Sequence, residues 1–211
     1  MDLIIVGAGG LGREVFSWLS QEIKEKHNYK IKGFIDDNPR SLDNFEYPAK
    51  ILSSIDNYMP KYGDQFVLSI LDPKLKKQIV DSLSQRGARF YKLIHPISII
   101  GTNVKIGEGC VICPNCILTN DIKIGNFVFI NTNSTIGHDT IIGDFTSVNG
   151  NVDITGKVKV GKGCLFGVGA KVIPGRTIGD DVVIGAGSIV IRNIKSNESV
   201  FGNPAKKFIS S

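Results

Sequence analysis

Few residues of this 211-residue sequence could do chemistry, and the histidines come first because there are only three. An imidazole titrates close to physiological pH, so it can take a proton from an attacking group and pass it on. His138 lies in Gly137-His138-Asp139, where an acid follows it directly. His27 sits in a polar stretch and reads as a surface residue, while His95 precedes Pro96 and reads as a structural contact. A second chemistry is suggested by Gly7-Ala8-Gly9-Gly10-Leu11-Gly12, a G-x-G-x-x-G turn whose backbone N–H groups could cradle a diphosphate at a helix N-terminus. Asp36 and Asp37, farther along, could accept hydrogen bonds from a nucleotide. The same fingerprint serves NAD-binding dehydrogenases, and glycines can also merely close a tight turn; both readings stand beside the first.

The elements that must position these residues differ between the two halves of the chain. Leu3 to Val6 predicts a buried strand running into the glycine turn, and residues 13–23 have helical apolar spacing. Strands over 30–35, 65–70 and 89–94 and a helix over 73–85 complete an alternation that predicts a small parallel sheet with helices on its faces. From Ile100 to Val190 an apolar anchor recurs at every sixth residue, through Ile136, Ile154 and Val172. Four residues after each anchor comes a second inward position, mostly small or β-branched, as at Cys110, Cys116, Thr140 and Cys164. That period fits short strands wound into a stacked β-solenoid. Glycines that follow many anchors, such as Gly107, Gly137 and Gly179, are expected to supply positive φ at the corners. With Pro96 at the junction, residues 1–96 form a half-Rossmann α/β domain, and residues 97–211 form the solenoid with a C-terminal cap.

The register also bears on the cysteines. Cys110, Cys113 and Cys116 form a C-x2-C-x2-C run that zinc or an iron–sulfur cluster could use. Cys110, Cys116 and Cys164 fall on the inward position, where a free thiol behaves as a compact hydrophobe, so no metal site is expected. Cys113 alone lies outside that register, and nothing near it in sequence would lower its pKa, which argues against a cysteine nucleophile. Net charge is +5, from 25 Lys+Arg against 20 Asp+Glu, with small clusters only at Lys74 to Lys77 and at Lys206 and Lys207. This describes a solvated surface rather than a nucleic-acid footprint. No apolar run approaches the roughly twenty residues of a membrane span, so membrane insertion is not expected. Asp2 stands where a secretory signal would be basic, and a cytoplasmic protein is the expectation.

GAGGLG at the start, GFIDD at Gly33 to Asp37, IHP at Ile94 to Pro96, the hexapeptide register and GNPAK at Gly202 to Lys206 together resemble the bacterial sialic acid O-acetyltransferase family. Its relatives include N-acetyltransferases of UDP- or GDP-linked 4-amino sugars. The resemblance implies a left-handed parallel β-helix with three repeats to a triangular coil, so that residues eighteen apart stack, with Asn120 beneath His138 and Gly156 above it. It further implies a nucleotide sugar on the N-terminal domain and acetyl-CoA along the solenoid, at a subunit interface of a homotrimer. Carried over residue by residue, His138 would be the general base and Asp139 the residue that orients it, with Asp144 a second candidate. Gly156 would offer its N–H to the thioester carbonyl, Gly167, Val168 and Ala186 would line the pantetheine groove, and Lys206 would meet a CoA phosphate. Gly7, Gly9, Gly10, Gly12, Asp36 and Asp37 would hold the nucleotide, and Asn131 would touch the sugar.

The implied reaction is acetyl transfer from acetyl-CoA to the amino group of a nucleotide-linked sugar. A sugar hydroxyl is the alternative acceptor, and a non-catalytic solenoid or an NAD-binding protein the alternative class. Leu11 and Ser147 depart from the family pattern, Leu11 standing where many relatives carry histidine in the glycine turn and Ser147 where some carry a second histidine on the solenoid. A trimer would cover Phe127, Phe129 and Phe145, expected to stand exposed at the corners.

Overall fold

A computed structural model describes residues 1–208. The first strand, β1 (Asp2–Val6), has Leu3 to Val6 wholly buried and runs at the centre of a four-stranded parallel sheet. Its neighbours are β2 (Lys30–Ile35) and β4 (Asp64–Leu68), and β3 (Ile51–Ser53) pairs with the outer edge of β2. Three residues are too few to show a period, which is why β3 was not legible in the sequence. Helix α1 (Gly10–Glu22) starts at the glycine turn. Helix α2 (Pro73–Gln85) opens with Asp72 as N-cap, whose carboxylate accepts from Leu75 N at 2.7 Å, and with proline in the first turn.

The strand expected over 89–94 divides, because one short segment cannot serve two sheets at once. Tyr91 N donates to Phe66 O in the N-terminal sheet, whereas Leu93 N donates to Cys110 O. The second piece, β5 (Leu93–Ile94), is thus already part of the solenoid, paired with Val111–Ile112.

Beyond β5, two-residue strands stack in parallel at an offset of one coil and build three sheets. Thr135–Ile136, for example, pairs with Asp153–Ile154 above and Ile117–Leu118 below. The anchors from Ile112 to Val190 are buried, and so are the second inward positions from Cys110 to Ser188 apart from the half-buried Arg176. Those second positions are more than small. The hydroxyls of Ser134, Thr140 and Thr146 donate to Asn149 O, Thr155 O and Gly161 O at 2.9, 3.0 and 3.1 Å, which satisfies corner carbonyls inside the coil. The thiols of Cys110 and Cys164 do the same toward Gly125 O and Gly179 O, each at 3.1 Å.

Two expectations are corrected, on the corner glycines and on the corner phenylalanines. The glycines after the anchors do not supply the left-handed corner residues. Positive φ falls two residues later, at Asn103, Asp121, Asp139 and Lys157 among others. A Cβ on Gly137 would instead run into the backbone of Thr155 and Gly156 in the next coil, so glycine stands there for close stacking. Cys113, outside the inward register, is nonetheless fully buried, because the N-terminal domain covers that corner, and burial pushes its thiol well above its ordinary value. Phe127 and Phe129 are buried within the single chain, not exposed at the corners. Phe129 lies on a strand between Val111 and Ser147, and Phe127 stacks on Phe145 at 5.1 Å and meets Phe90 edge-on at 5.0 Å. The aromatic column docks one domain on the other.

Candidate active site

The corner after Thr135–Ile136 carries His138 and Asp139. Asp139 has φ 58°, and that left-handed turn brings its carboxylate back onto the neighbouring ring instead of to the opposite face, as extended backbone would. His138 Nδ1 and Asp139 Oδ2 lie 2.7 Å apart. A carboxylate only accepts, so in the neutral ring Nδ1 carries the proton and Nε2 presents the lone pair. Both side chains are more than half exposed, 58% and 53%, so the pair serves orientation rather than stability. Asp144 is engaged elsewhere: its Oδ1 accepts from Asn126 N at 2.7 Å, and it lines a separate cavity with Lys77, Phe145 and Lys162.

One coil above, Gly156 leaves the imidazole its room. A Cβ there would fall 2.6 Å from His138 Nε2. The N–H of Gly156 is also open. On the corner at Asp144, the matching N–H groups of Glu108, Asn126 and Lys162 donate to the side chains of Asn126, Asp144 and Asp180 one coil higher, at 3.0, 2.7 and 3.0 Å. Above Gly156 the stacked residue is Pro174, which has no side-chain acceptor, and among the described residues Gly156 N has no partner. The corner therefore presents a lone pair and an unused donor side by side, the arrangement that deprotonates a nucleophile and holds an oxyanion.

A second concavity, about 450 Å³, lies at the carboxyl ends of the parallel strands, lined by Gly7, Asp36, Asp37, Ile55, Gln78 and Ser82 among others. Asp36 spends both oxygens on its own chain. Oδ2 accepts from Ala8 N at 2.6 Å and Oδ1 from Asn38 N at 2.8 Å, which fixes the glycine turn. Asp37 gives only Oδ1, to Ile55 N at 2.9 Å, and keeps its other oxygen for the cavity. Within the turn, a Cβ on Gly12 would collide with the carbonyl of Gly7, whereas a Cβ on Gly9 or Gly10 would meet nothing. Gly12 is needed for packing; Gly9 and Gly10 leave a bare approach to the start of α1. Leu11 packs against the core. Arg86 was not singled out from sequence, where an arginine at a helix end carries no signal. Its guanidinium donates to the carbonyls of Ile55, Asp56 and Tyr58 at 3.0, 2.8 and 2.7 Å and holds the cavity wall.

The remaining candidates are not gathered around His138. Asn131, Gly167, Val168 and Ala186 occupy a different corner of the triangle, after the strands Phe129–Ile130, Leu165–Phe166 and Val183–Ile184. Asn131 Oδ1 accepts from Thr132 N at 2.7 Å. Lys206 is exposed on a short strand antiparallel to Ser199–Phe201. Ser147 is buried beneath α2 and takes no part in an open site. Among the described residues no three His, Cys, Asp or Glu side chains converge to hold a metal ion, and no helix is long and apolar enough to cross a membrane.

An α/β domain carrying a phosphate-type turn, joined to a hexapeptide solenoid with an exposed corner histidine, defines the class. Residues 2–83 match the PglD N-terminal domain family. Along the sequence, the chain is 29% identical over 114 residues to GDP-perosamine N-acetyltransferase of Escherichia coli O157:H7, covering 52% of this chain and 50% of that one. The chain thus spans about half the length of that curated relative. Its fold superposes on WeeI from Acinetobacter baumannii AYE with TM-score 0.88 and 25% identity, over 99% of this chain and 100% of that one. It superposes on PerB from Caulobacter crescentus, solved in complex with CoA and GDP-perosamine, with TM-score 0.85 and 26% identity, over 99% and 98%. The chain resembles the nucleotide amino-sugar N-acetyltransferases.

Proposed function

We propose that this protein transfers the acetyl group of acetyl-CoA to the amino group of a nucleotide-linked amino sugar. The observation that carries the reading is the corner where His138 Nε2 faces the bare Gly156, with Nδ1 tied to Asp139. His138 Nε2 takes the proton of the attacking amine as nitrogen bonds to the thioester carbon. The tetrahedral oxyanion is held by Gly156 N–H, and the carbon–sulfur bond then breaks with CoA leaving as the thiol once the proton is passed on. The buried cysteines, their thiols all pushed up by burial, favour this direct route over a covalent one.

Residues 1–96 bind the nucleotide sugar, with Gly7, Gly9, Gly10 and Gly12 around the diphosphate, Asp36 fixing the turn and Asp37 reaching the nucleotide. Residues 97–211 bind acetyl-CoA. Gly167, Val168 and Ala186 lie on a different corner from His138, so a groove uniting them joins corners of two copies, which supports a homotrimer. Lys206 meets a CoA phosphate in that groove, and Asn131 touches the sugar.

The test is incubation with acetyl-CoA and a panel of UDP-, GDP- and dTDP-linked amino sugars, reading released thiol. His138→Ala should lower kcat by about 10²- to 10⁴-fold with acetyl-CoA affinity intact. More than about a tenth of wild-type turnover in a folded mutant would overturn the base assignment.

A further inference from the structure

The basic run at Lys74 to Lys77 looks like surface in sequence, yet Lys76 is 1% exposed, among the most deeply buried large side chains of the protein. Its Nζ donates to Ser147 Oγ at 2.7 Å and to Thr146 O at 3.4 Å, across the seam between α2 and the solenoid. No carboxylate pairs with it among the described residues, so an ammonium there is expensive to bury and contributes little as a stabilising contact. The adhesion between domains comes instead from Phe90, Phe127 and Phe145, an apolar contact that is strong but carries little directional information. A buried polar contact adds direction, because it is satisfied in one arrangement only.

The place of Lys76 says what that direction serves. A neighbouring face of α2, with Leu75, Gln78, Ile79 and Ser82, forms a wall of the nucleotide cavity. Ser147 belongs to the strand that follows His138 around the coil, two strands on. We infer that Lys76 is a positioning residue: by pinning α2 to Ser147 and Thr146 it sets the placement of the nucleotide cavity relative to the solenoid, and so aims the sugar amine at the catalytic corner. The inference rests on the acetyltransferase reading above.

The experiment compares wild type with Lys76→Met, which keeps length and volume, and with Ser147→Ala, which removes only the partner hydroxyl. Each is assayed for acetyl transfer to the best nucleotide sugar of the panel and to a small free amine that does not use the cavity, alongside thermal melting. For both variants, kcat with the nucleotide sugar should fall by roughly ten- to a hundredfold, the scale of a misplacement of about an ångström. KM for acetyl-CoA and the rate with the small amine should hold. Unchanged kcat with the nucleotide sugar in both variants overturns the inference, and so does a parallel fall in both reactions that follows a loss of melting temperature. Should Lys76→Met not fold, Ser147→Ala decides alone. A wild type that transfers acetyl to no acceptor sinks the acetyltransferase reading itself, a failure visible before any variant is made.

Discussion

The imidazole of His138 has one nitrogen tied to Asp139 and one facing an empty space that exists because residue 156 lacks a side chain. Gly156→Ala should therefore act on chemistry rather than on folding, since the methyl group would displace the ring and not the solenoid backbone. The expected result is a fall in kcat on the order of 10²-fold with melting unchanged; activity near wild type would mean the ring does not work from the position seen. In the cavity at the strand ends, the proposed nucleotide site, the two aspartates should separate by role. Asp37→Ala should raise KM for the nucleotide sugar and leave melting nearly alone. Asp36→Ala loses the charge-assisted bonds from Ala8 N and Asn38 N and should cost about 2 kcal/mol of stability as well, read from urea unfolding. Equal melting of the two mutants would contradict that division.

Helix α2 walls the cavity at the strand ends and also docks on the solenoid, and its buried lysine gives it a pH signature. Desolvation pulls the Lys76 pKa down to about 7, against about 10.4 in an unfolded chain. Between those values the unfolded chain binds a proton that the folded one lacks, so stability should rise with pH across the window. Of the charged or titratable groups near Lys76, the Asp72 carboxylate favours the ammonium but does not offset the desolvation, and Cys110 is pushed up to about 11 and stays neutral across the window. Urea midpoints measured at pH 6.5, 8 and 9.5 should climb in wild type relative to Lys76→Met. Parallel curves for the two proteins would show that the amine is not buried as described.

For the whole molecule, the aromatic column ties the domains, and the homotrimer proposed above would complete the site. Phe127 holds a left-handed backbone that a bulky residue rarely adopts, and its ring is buried between Phe90 and Phe145. Phe127→Ala should cost about 3 kcal/mol, seen as a lower melting temperature. On that proposal light scattering should report three copies, because the corner of Val168, 54% exposed in the single chain, lies apart from the corner of His138 and a shared groove would need a second copy. A stable monomer with full activity would contradict the shared groove.

What the sequence determined by itself is what repeats or recurs locally. The sixfold anchor period gave the solenoid, because each coil buries its apolar positions only against its neighbours and so must write the same pattern again. The glycine turn and α2 followed from local spacing, whereas the stack of Asn120, His138 and Gly156 was what the family resemblance implied, with three repeats to a coil. Contacts between residues far apart in sequence were decided only by tertiary structure. Nothing local marks Cys113 and Phe127 as covered, Lys76 as interior, or Arg86 as the clamp of a cavity wall, since each depends on which surface of one domain meets the other. The turn that lays the Asp139 carboxylate on His138 lies between these cases. Both residues were legible, but a backbone angle, fixed by how the corner stacks on the next coil, decided that they meet.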